Sequence, residues 1–122
     1  MGELPVECIT WPAFEDAIKR LEKKYPRVRA DILAAATKRA DIRAIPGFNY
    51  KVFKLRVASS DMKRGKSGGF RLIAYIDPDR PEQFYFLTAY AKAEREDIAF
   101  PELMQTYSRF LAFLREQVNK NE

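Results

Sequence analysis

The sequence contains no histidine and only one cysteine, Cys8, among its 122 residues. The absence of histidine excludes protease dyads and triads in which an imidazole is the base, and it excludes zinc sites built on histidine. One cysteine cannot form an internal disulfide, and because Cys8 lies in the apolar run VECIT, we interpret it as a core residue. We therefore expect no metal and no other cofactor.

Long hydrophobic stretches are also missing. No segment approaches the length needed to cross a bilayer, and the first residues, MGELPVECIT, lack the basic start and apolar stretch of a secretion signal. The contents of 47% hydrophobic and 13% aromatic residues exceed what disordered chains carry, so the chain should fold. We expect one cytoplasmic domain spanning residues 1–122, with no membrane contact.

Positive charge is concentrated in one part of the chain. The net charge is +5, yet residues 51–71 alone hold seven Lys and Arg residues against Asp61, which gives 7 − 1 = +6. The seven are Lys51, Lys54, Arg56, Lys63, Arg64, Lys66 and Arg71. Such a local field attracts a polyanion, so the pattern favours nucleic acid or an acidic protein as partner over a merely solvated surface.

The motif RGKSGGFR at residues 64–71 contains the GKS end of a Walker A phosphate-binding loop, but the rest of that loop is missing. A Walker A loop needs a further glycine where this chain has Ser60, and it must lead into a helix. The residues that follow, FRLIAYI, are aromatic and β-branched and predict a strand. A nucleotide hydrolase is therefore disfavoured.

The spacing of apolar residues predicts two N-terminal helices behind a short strand over residues 5–10. One helical stripe contains Trp11, Phe14, Ile18, Leu21 and Tyr25. Pro26 ends this helix and suits the first turn of the next one. Two helices joined so closely form a hairpin.

Three strands and a final helix are predicted for the second half of the chain. Alternation in KVFKLRVA indicates a strand with one buried face and one face that carries Lys54 and Arg56. FRLIAYI and QFYFLTAYAK predict two more strands, and the loops between the three favour an antiparallel meander. An apolar stripe from Leu103 to Val118 predicts a helix that docks on the sheet. The expected fold is α+β in the order β-α-α-β-β-β-α, with a small antiparallel sheet, an N-terminal helical hairpin and a C-terminal helix.

The clustered cations suit phosphate binding and phosphodiester chemistry. Arginine offers a fork of donors to phosphate oxygens, and a lysine among other cations can act as a base or an acid. In RNA the ribose 2′-OH is a built-in nucleophile, so a protein need only orient it, neutralise the phosphorane and move protons. The acidic residues are scattered, which argues against a hydrolase built on paired carboxylates.

The second half of the chain contains, in order, LRVA, RGKSGGFRLIAYI, FYFLTAYAKAEREDI and a closing helix. This set resembles the RelE/ParE toxin superfamily of bacterial toxin–antitoxin pairs, in particular its HigB-like and RelE-like branch; GKSGGFR at 65–71 and AYAK at 89–92 are its most specific parts. The resemblance implies a RelE-like fold and a type II toxin that enters the ribosomal A site, cleaves mRNA by 2′-OH attack and inhibits translation. The implied partners are the ribosome, mRNA and a cognate antitoxin protein.

The resemblance and the basic segment together suggest two groups of functional residues. The candidate catalytic residues are Arg71, Lys54, Lys66 and Lys92. The candidate RNA- or phosphate-binding residues are Arg56, Lys63, Arg64, Ser67, Gly68, Gly69 and Tyr90. Solubility for Lys54 and Arg56, core packing for Tyr90 and simple chain reversal for the two glycines remain alternative interpretations.

Two positions depart from the RelE-type pattern. Ala93 and Ala99 stand where RelE-type members carry an arginine and a tyrosine. The departure favours two other functions. One is a ParE-like inhibitor of DNA gyrase that cuts no RNA, and the other is a catalytically inactive member that only binds antitoxin or nucleic acid.

Overall fold

The computed structural model describes residues 6–39, 41–62 and 68–120. The elements in these ranges are β1 (Glu7–Ile9), α1 (Pro12–Glu22), α2 (Val28–Lys38), β2 (Ile42–Ala44), β3 (Val52–Val57), β4 (Phe70–Tyr75), β5 (Gln83–Ala91) and α3 (Phe100–Lys120). The α+β class is confirmed. Across the described ranges, no helix combines the length and the apolar character that a membrane span requires.

The strands form one mixed sheet in the order β1-β5-β4-β3-β2. The pairs β3–β4 and β4–β5 are antiparallel, as the predicted meander requires. The pair β2–β3 is also antiparallel, whereas β1 runs parallel to β5. Two sequence predictions are therefore wrong: the sheet is not purely antiparallel, and the predicted order of elements lacks the strand β2.

Both errors have a physical cause. A short turn forces two strands to run antiparallel, but β1 and β5 are far apart in sequence, so no turn fixes their relative direction. The strand β2 has only three residues, Ile42, Arg43 and Ala44, which is too short to show an alternating pattern. Its existence depends on its pairing with β3.

The helices α1 and α2 lie on one face of the sheet. The rings of Phe14 and Phe86 are 5.2 Å apart, and those of Tyr25 and Phe70 are also 5.2 Å apart. The first helix has Pro12 in its first turn, and it ends at Glu22, before Pro26. Every residue of β4 is buried, so this strand lies at the centre of the core.

The helix α3 packs on the opposite face. Phe110 lies 5.2 Å from the ring of Tyr75 and 5.3 Å from that of Tyr85. Leu103 and Phe110 are buried, which confirms the first part of the predicted stripe. Val118 is 59% exposed, so the prediction that it docks on the sheet is wrong. The apolar stripe continues beyond the residues that the sheet covers.

Candidate phosphate-binding site

The strand register brings basic side chains together on one face of the sheet. Arg56 lies opposite Arg71, and Arg71 lies opposite Tyr90. Arg43 lies opposite Lys54. Residues directly opposite on antiparallel strands point to the same side, as do residues two apart on one strand. All five side chains therefore share one face.

This face is the one on which α3 packs, but α3 covers only part of it. Tyr75 lies on the same side of β4 as Arg71, because residues at even spacing share a face. Its ring contacts Tyr107 and Phe110 of α3. The part of the face that carries the cations remains open and forms a cleft of about 700 Å³, which we call the cationic cleft.

The cationic cleft has an excess of positive charge. Its basic lining residues are Arg43, Lys54, Arg56, Arg71 and Lys92. Its acidic lining residues are Asp41, Glu96 and Asp97. Like charges directly opposite on neighbouring strands destabilise a sheet, by up to about 1 kcal/mol per pair. Asp97 offsets this repulsion at Lys54 through its 2.9 Å ion pair, and a bound anion would offset it at Arg56.

Asp97 connects the two sides of the cationic cleft through one oxygen. Its Oδ1 accepts hydrogen bonds from Lys54 Nζ at 2.9 Å, the Tyr90 hydroxyl at 3.0 Å and the Ile98 amide at 2.8 Å. The hydrogen bond from Lys54 is the main cause that holds the pKa of Asp97 below its ordinary value. The carboxylate therefore stays charged at neutral pH and ties β3 to β5 and to the segment before α3.

Tyr90 acts here as a hydrogen-bond donor. Burial, and then its hydrogen bond to Asp97, raise the pKa of Tyr90 to about 12. The phenol is therefore protonated at neutral pH, so it cannot serve as a base. The guanidinium of Arg95 lies 5.6 Å from the centre of the Tyr90 ring. Tyr90 is thus a buried aromatic, in agreement with the packing alternative, and its hydroxyl bonds to Asp97, which lines the cationic cleft.

Arg71 and Arg56, two of the three arginines of the cationic cleft, differ in how firmly they are held. Arg71 is only 6% exposed, and its Nη1 donates a 3.1 Å hydrogen bond to the Phe70 carbonyl. Arg56 is exposed, and no hydrogen bond or ion pair to another described residue holds its side chain. Arg71 is therefore fixed in direction, whereas Arg56 can move to meet a ligand.

Lys92 and Gly69 meet at the end of β5. The Lys92 amide donates to the Gly69 carbonyl at 3.0 Å, and Lys92 Nζ donates to the Glu96 carbonyl at 2.8 Å. A Cβ atom on Gly69 would lie 2.0 Å from the Val57 carbonyl oxygen. Glycine is thus required at position 69 by the close approach of β3, independently of any phosphate. The half-buried Gly68 precedes it.

Four of the sequence-predicted site residues, Lys63, Arg64, Lys66 and Ser67, lie outside the described residues. Of the predicted catalytic residues that are described, Lys54, Arg71 and Lys92 line the cationic cleft, together with the predicted RNA contact Arg56.

The structure adds residues to the site that sequence reasoning missed, above all Arg43 and Asp97. Arg43 belongs to the unpredicted strand β2, so nothing in the sequence indicated which way its side chain points. Asp97 lies in the acidic segment EREDI, and the sequence does not show which carboxylate of this segment meets Lys54. The path of the chain between β5 and α3 decides it. Within the described ranges, no group of three or more His, Cys, Asp or Glu side chains is placed to hold a metal ion.

No protein-family model matches the chain, and no curated protein matches it at a significant level.

Proposed function

We propose that the protein is the toxin of a type II toxin–antitoxin system and acts as a ribosome-dependent mRNA endoribonuclease. The observation that carries the proposal is the register that places Arg56 beside Arg71, in one open cleft with Lys54 and Lys92. The resemblance of GKSGGFR and AYAK to RelE-like toxins supports it. The first motif ends at Arg71, and the second contains Tyr90 and Lys92.

In the proposed reaction, the ribose 2′-oxygen attacks the adjacent phosphorus and the bond from phosphorus to the 5′-oxygen breaks. The products are a 2′,3′-cyclic phosphate and a free 5′-hydroxyl. Arg71 stabilises the five-coordinate phosphorane, because its guanidinium can donate to two oxygens as negative charge grows. Its burial strengthens this interaction, since charges attract more strongly away from water. The exposed Arg56 binds a neighbouring phosphate.

Two protons must move in this reaction, one from the 2′-OH and one to the 5′-oxygen. Lys54 and Lys92 are the groups in the cationic cleft that can exchange them. Lys54 suits the role of acid, since Asp97 orients its ammonium through the 2.9 Å hydrogen bond. Tyr90 stays protonated and helps to position Asp97.

A protein that binds without cutting is the second candidate. Asp97 already engages both Lys54 and Tyr90, and Ala93 and Ala99 replace an arginine and a tyrosine of RelE-type members. Such a protein is either a ParE-like gyrase inhibitor or an inactive member. Under both candidates, an antitoxin with an acidic segment would cover the cationic cleft, because complementary charge speeds association.

Translation of a defined message in a cell-free extract, followed by primer extension, tests the proposal. Discrete cuts in phase with codons, absent without ribosomes, are the expected result. An intact message combined with loss of DNA supercoiling would contradict the proposal and favour the gyrase inhibitor. An intact message with normal supercoiling would favour the binding-only protein.

A further inference from the structure

Tyr50 has no evident role in the fold. Its side chain is 78% exposed, and no ring contact, hydrogen bond or ion pair joins it to another described residue. It occupies the third position of the turn Phe48–Lys51, which the Lys51 amide closes by donating to the Phe48 carbonyl at 3.0 Å. Asn49 and Tyr50 have φ values of 52° and 59°. This left-handed backbone suits glycine or asparagine, so a tyrosine here is unfavourable for folding.

The turn that carries Tyr50 is firmly anchored. Phe48 is buried, and its ring lies 5.1 Å from that of Tyr107 and 5.6 Å from that of Phe100. The Ile45 amide donates to the Val52 carbonyl at 2.9 Å across the base of the loop. The backbone that presents the Tyr50 ring to solvent is therefore already ordered, and only the torsions of this one side chain must be fixed when a ligand binds.

Tyr50 is a neighbour of the cationic cleft. It lines a second cavity of about 420 Å³ together with Ala44, Ile45 and Pro46. The same three residues form part of the wall of the cationic cleft. The short stretch Ala44–Pro46 thus lies between the cavity of the exposed ring and the cationic cleft.

We propose that Tyr50 stacks on a nucleobase of a single strand of RNA whose phosphates lie in the cationic cleft. Proteins bind single strands by combining a positive groove along the backbone with aromatic rings that stack on the bases. A duplex would not suit this arrangement, because its bases are already stacked on each other. The choice of RNA rests on the proposed function, whereas stacking beside the cations rests on Tyr50 and the cleft alone.

The test measures binding of two fluorescent RNA hexanucleotides by anisotropy, one intact and one with abasic sugars throughout. Because stacking contributes about 1–3 kcal/mol per base, Tyr50→Ala should weaken binding of the intact strand by about 5- to 150-fold. Binding of the abasic strand should not change, and Tyr50→Phe should bind as the unmodified protein does. Leu33→Ala, which shortens another exposed apolar side chain, on α2, is the matched control and should have no effect.

Three results would overturn the proposal. They are unchanged binding by Tyr50→Ala, an equal loss on the intact and abasic strands, and no measurable binding of the intact strand. Unchanged binding by Tyr50→Ala would indicate that the exposed ring contacts a protein partner instead of a base. Each of these results leaves ribosome-dependent cleavage standing, because cutting of the message is measured separately. Conversely, base-dependent binding through Tyr50 without any cutting would contradict only the proposed function.

Discussion

Replacement of Gly69 by alanine should destabilise the protein by forcing two strands apart. The new Cβ would lie 2.0 Å from the Val57 carbonyl oxygen, and it would also crowd the Val57 carbonyl carbon at 3.1 Å. Real Cβ atoms essentially never come closer than 3.0 Å to an atom outside their own and the adjacent residues, so the backbone must move by about 1 Å. The clashing atoms belong to the main chain, and no change of rotamer can relieve the contact.

The expected loss follows from this geometry. Overpacking a well-packed site costs about 1–3 kcal/mol, and a backbone clash places Gly69→Ala near the upper value of about 3 kcal/mol. Unfolding entropy is about 2.1 cal/mol/K per residue, so a chain of 122 residues loses roughly 4 °C per kcal/mol. The melting temperature of Gly69→Ala should therefore fall by about 12 °C.

Thermal unfolding and RNA binding of two variants separate the structural role of Gly69 from a phosphate-binding role. Arg56→Ala is the matched control, because it removes an exposed side chain without a partner among the described residues. It should weaken RNA binding without lowering the melting temperature. If Gly69→Ala melts like the unmodified protein and instead loses RNA affinity, the glycine serves the approach of phosphate and not the contact between the strands.

Two further predictions concern ionisation. Asp97→Asn should lower the pKa of Tyr90 from about 12 but not to the ordinary value of 10.0, because burial, the larger cause, remains. The Tyr90 pKa is measured from the difference in phenolate absorbance between Asp97→Asn with and without Tyr90→Phe. An unchanged pKa would contradict the role of Asp97. A hydrogen bond from Arg29 is the main cause that lowers the pKa of Glu15. The stability that Glu15 adds, compared with glutamine, is therefore present above pH 4.5 and is lost as the pH falls through the lowered pKa. The free energies of unfolding in urea of the protein and of Glu15→Gln should therefore differ at pH 7, and the difference should shrink as the pH falls below 4.5. A difference that is constant with pH would exclude the ion pair as its source.

Local patterns in the sequence predicted the elements whose structure depends on nearby residues. The apolar spacing around Phe14 and Ile18 placed α1, and the alternation of β3 placed Lys54 and Arg56 on one side of the strand. Each of these features is decided within about one helical turn or one strand, so the sequence carries the signal.

The cationic cleft itself depends on pairing between distant parts of the chain. Arg56 and Arg71 become neighbours only through the register of β3 with β4, and Arg43 joins them only because β2 pairs with β3. Asp97 reaches Lys54 from a position 43 residues later in the chain. A one-residue change of register would send every side chain of a strand to the other face, so local patterns could not assemble this site.

Single-turnover cleavage of mRNA on programmed ribosomes by Arg71→Ala tests the central claim most directly. Loss of one donor to the transition state typically costs about a hundred- to thousand-fold in rate, and we predict a loss of that size for Arg71→Ala. Arg71→Lys keeps the charge but loses the fork of donors, so it should also be severely impaired. The control is Arg115→Ala, which removes an exposed arginine on α3 and should cut at the unmodified rate, and thermal unfolding checks the fold of all three variants. A stably folded Arg71→Ala protein that cuts as fast as Arg115→Ala would contradict the account.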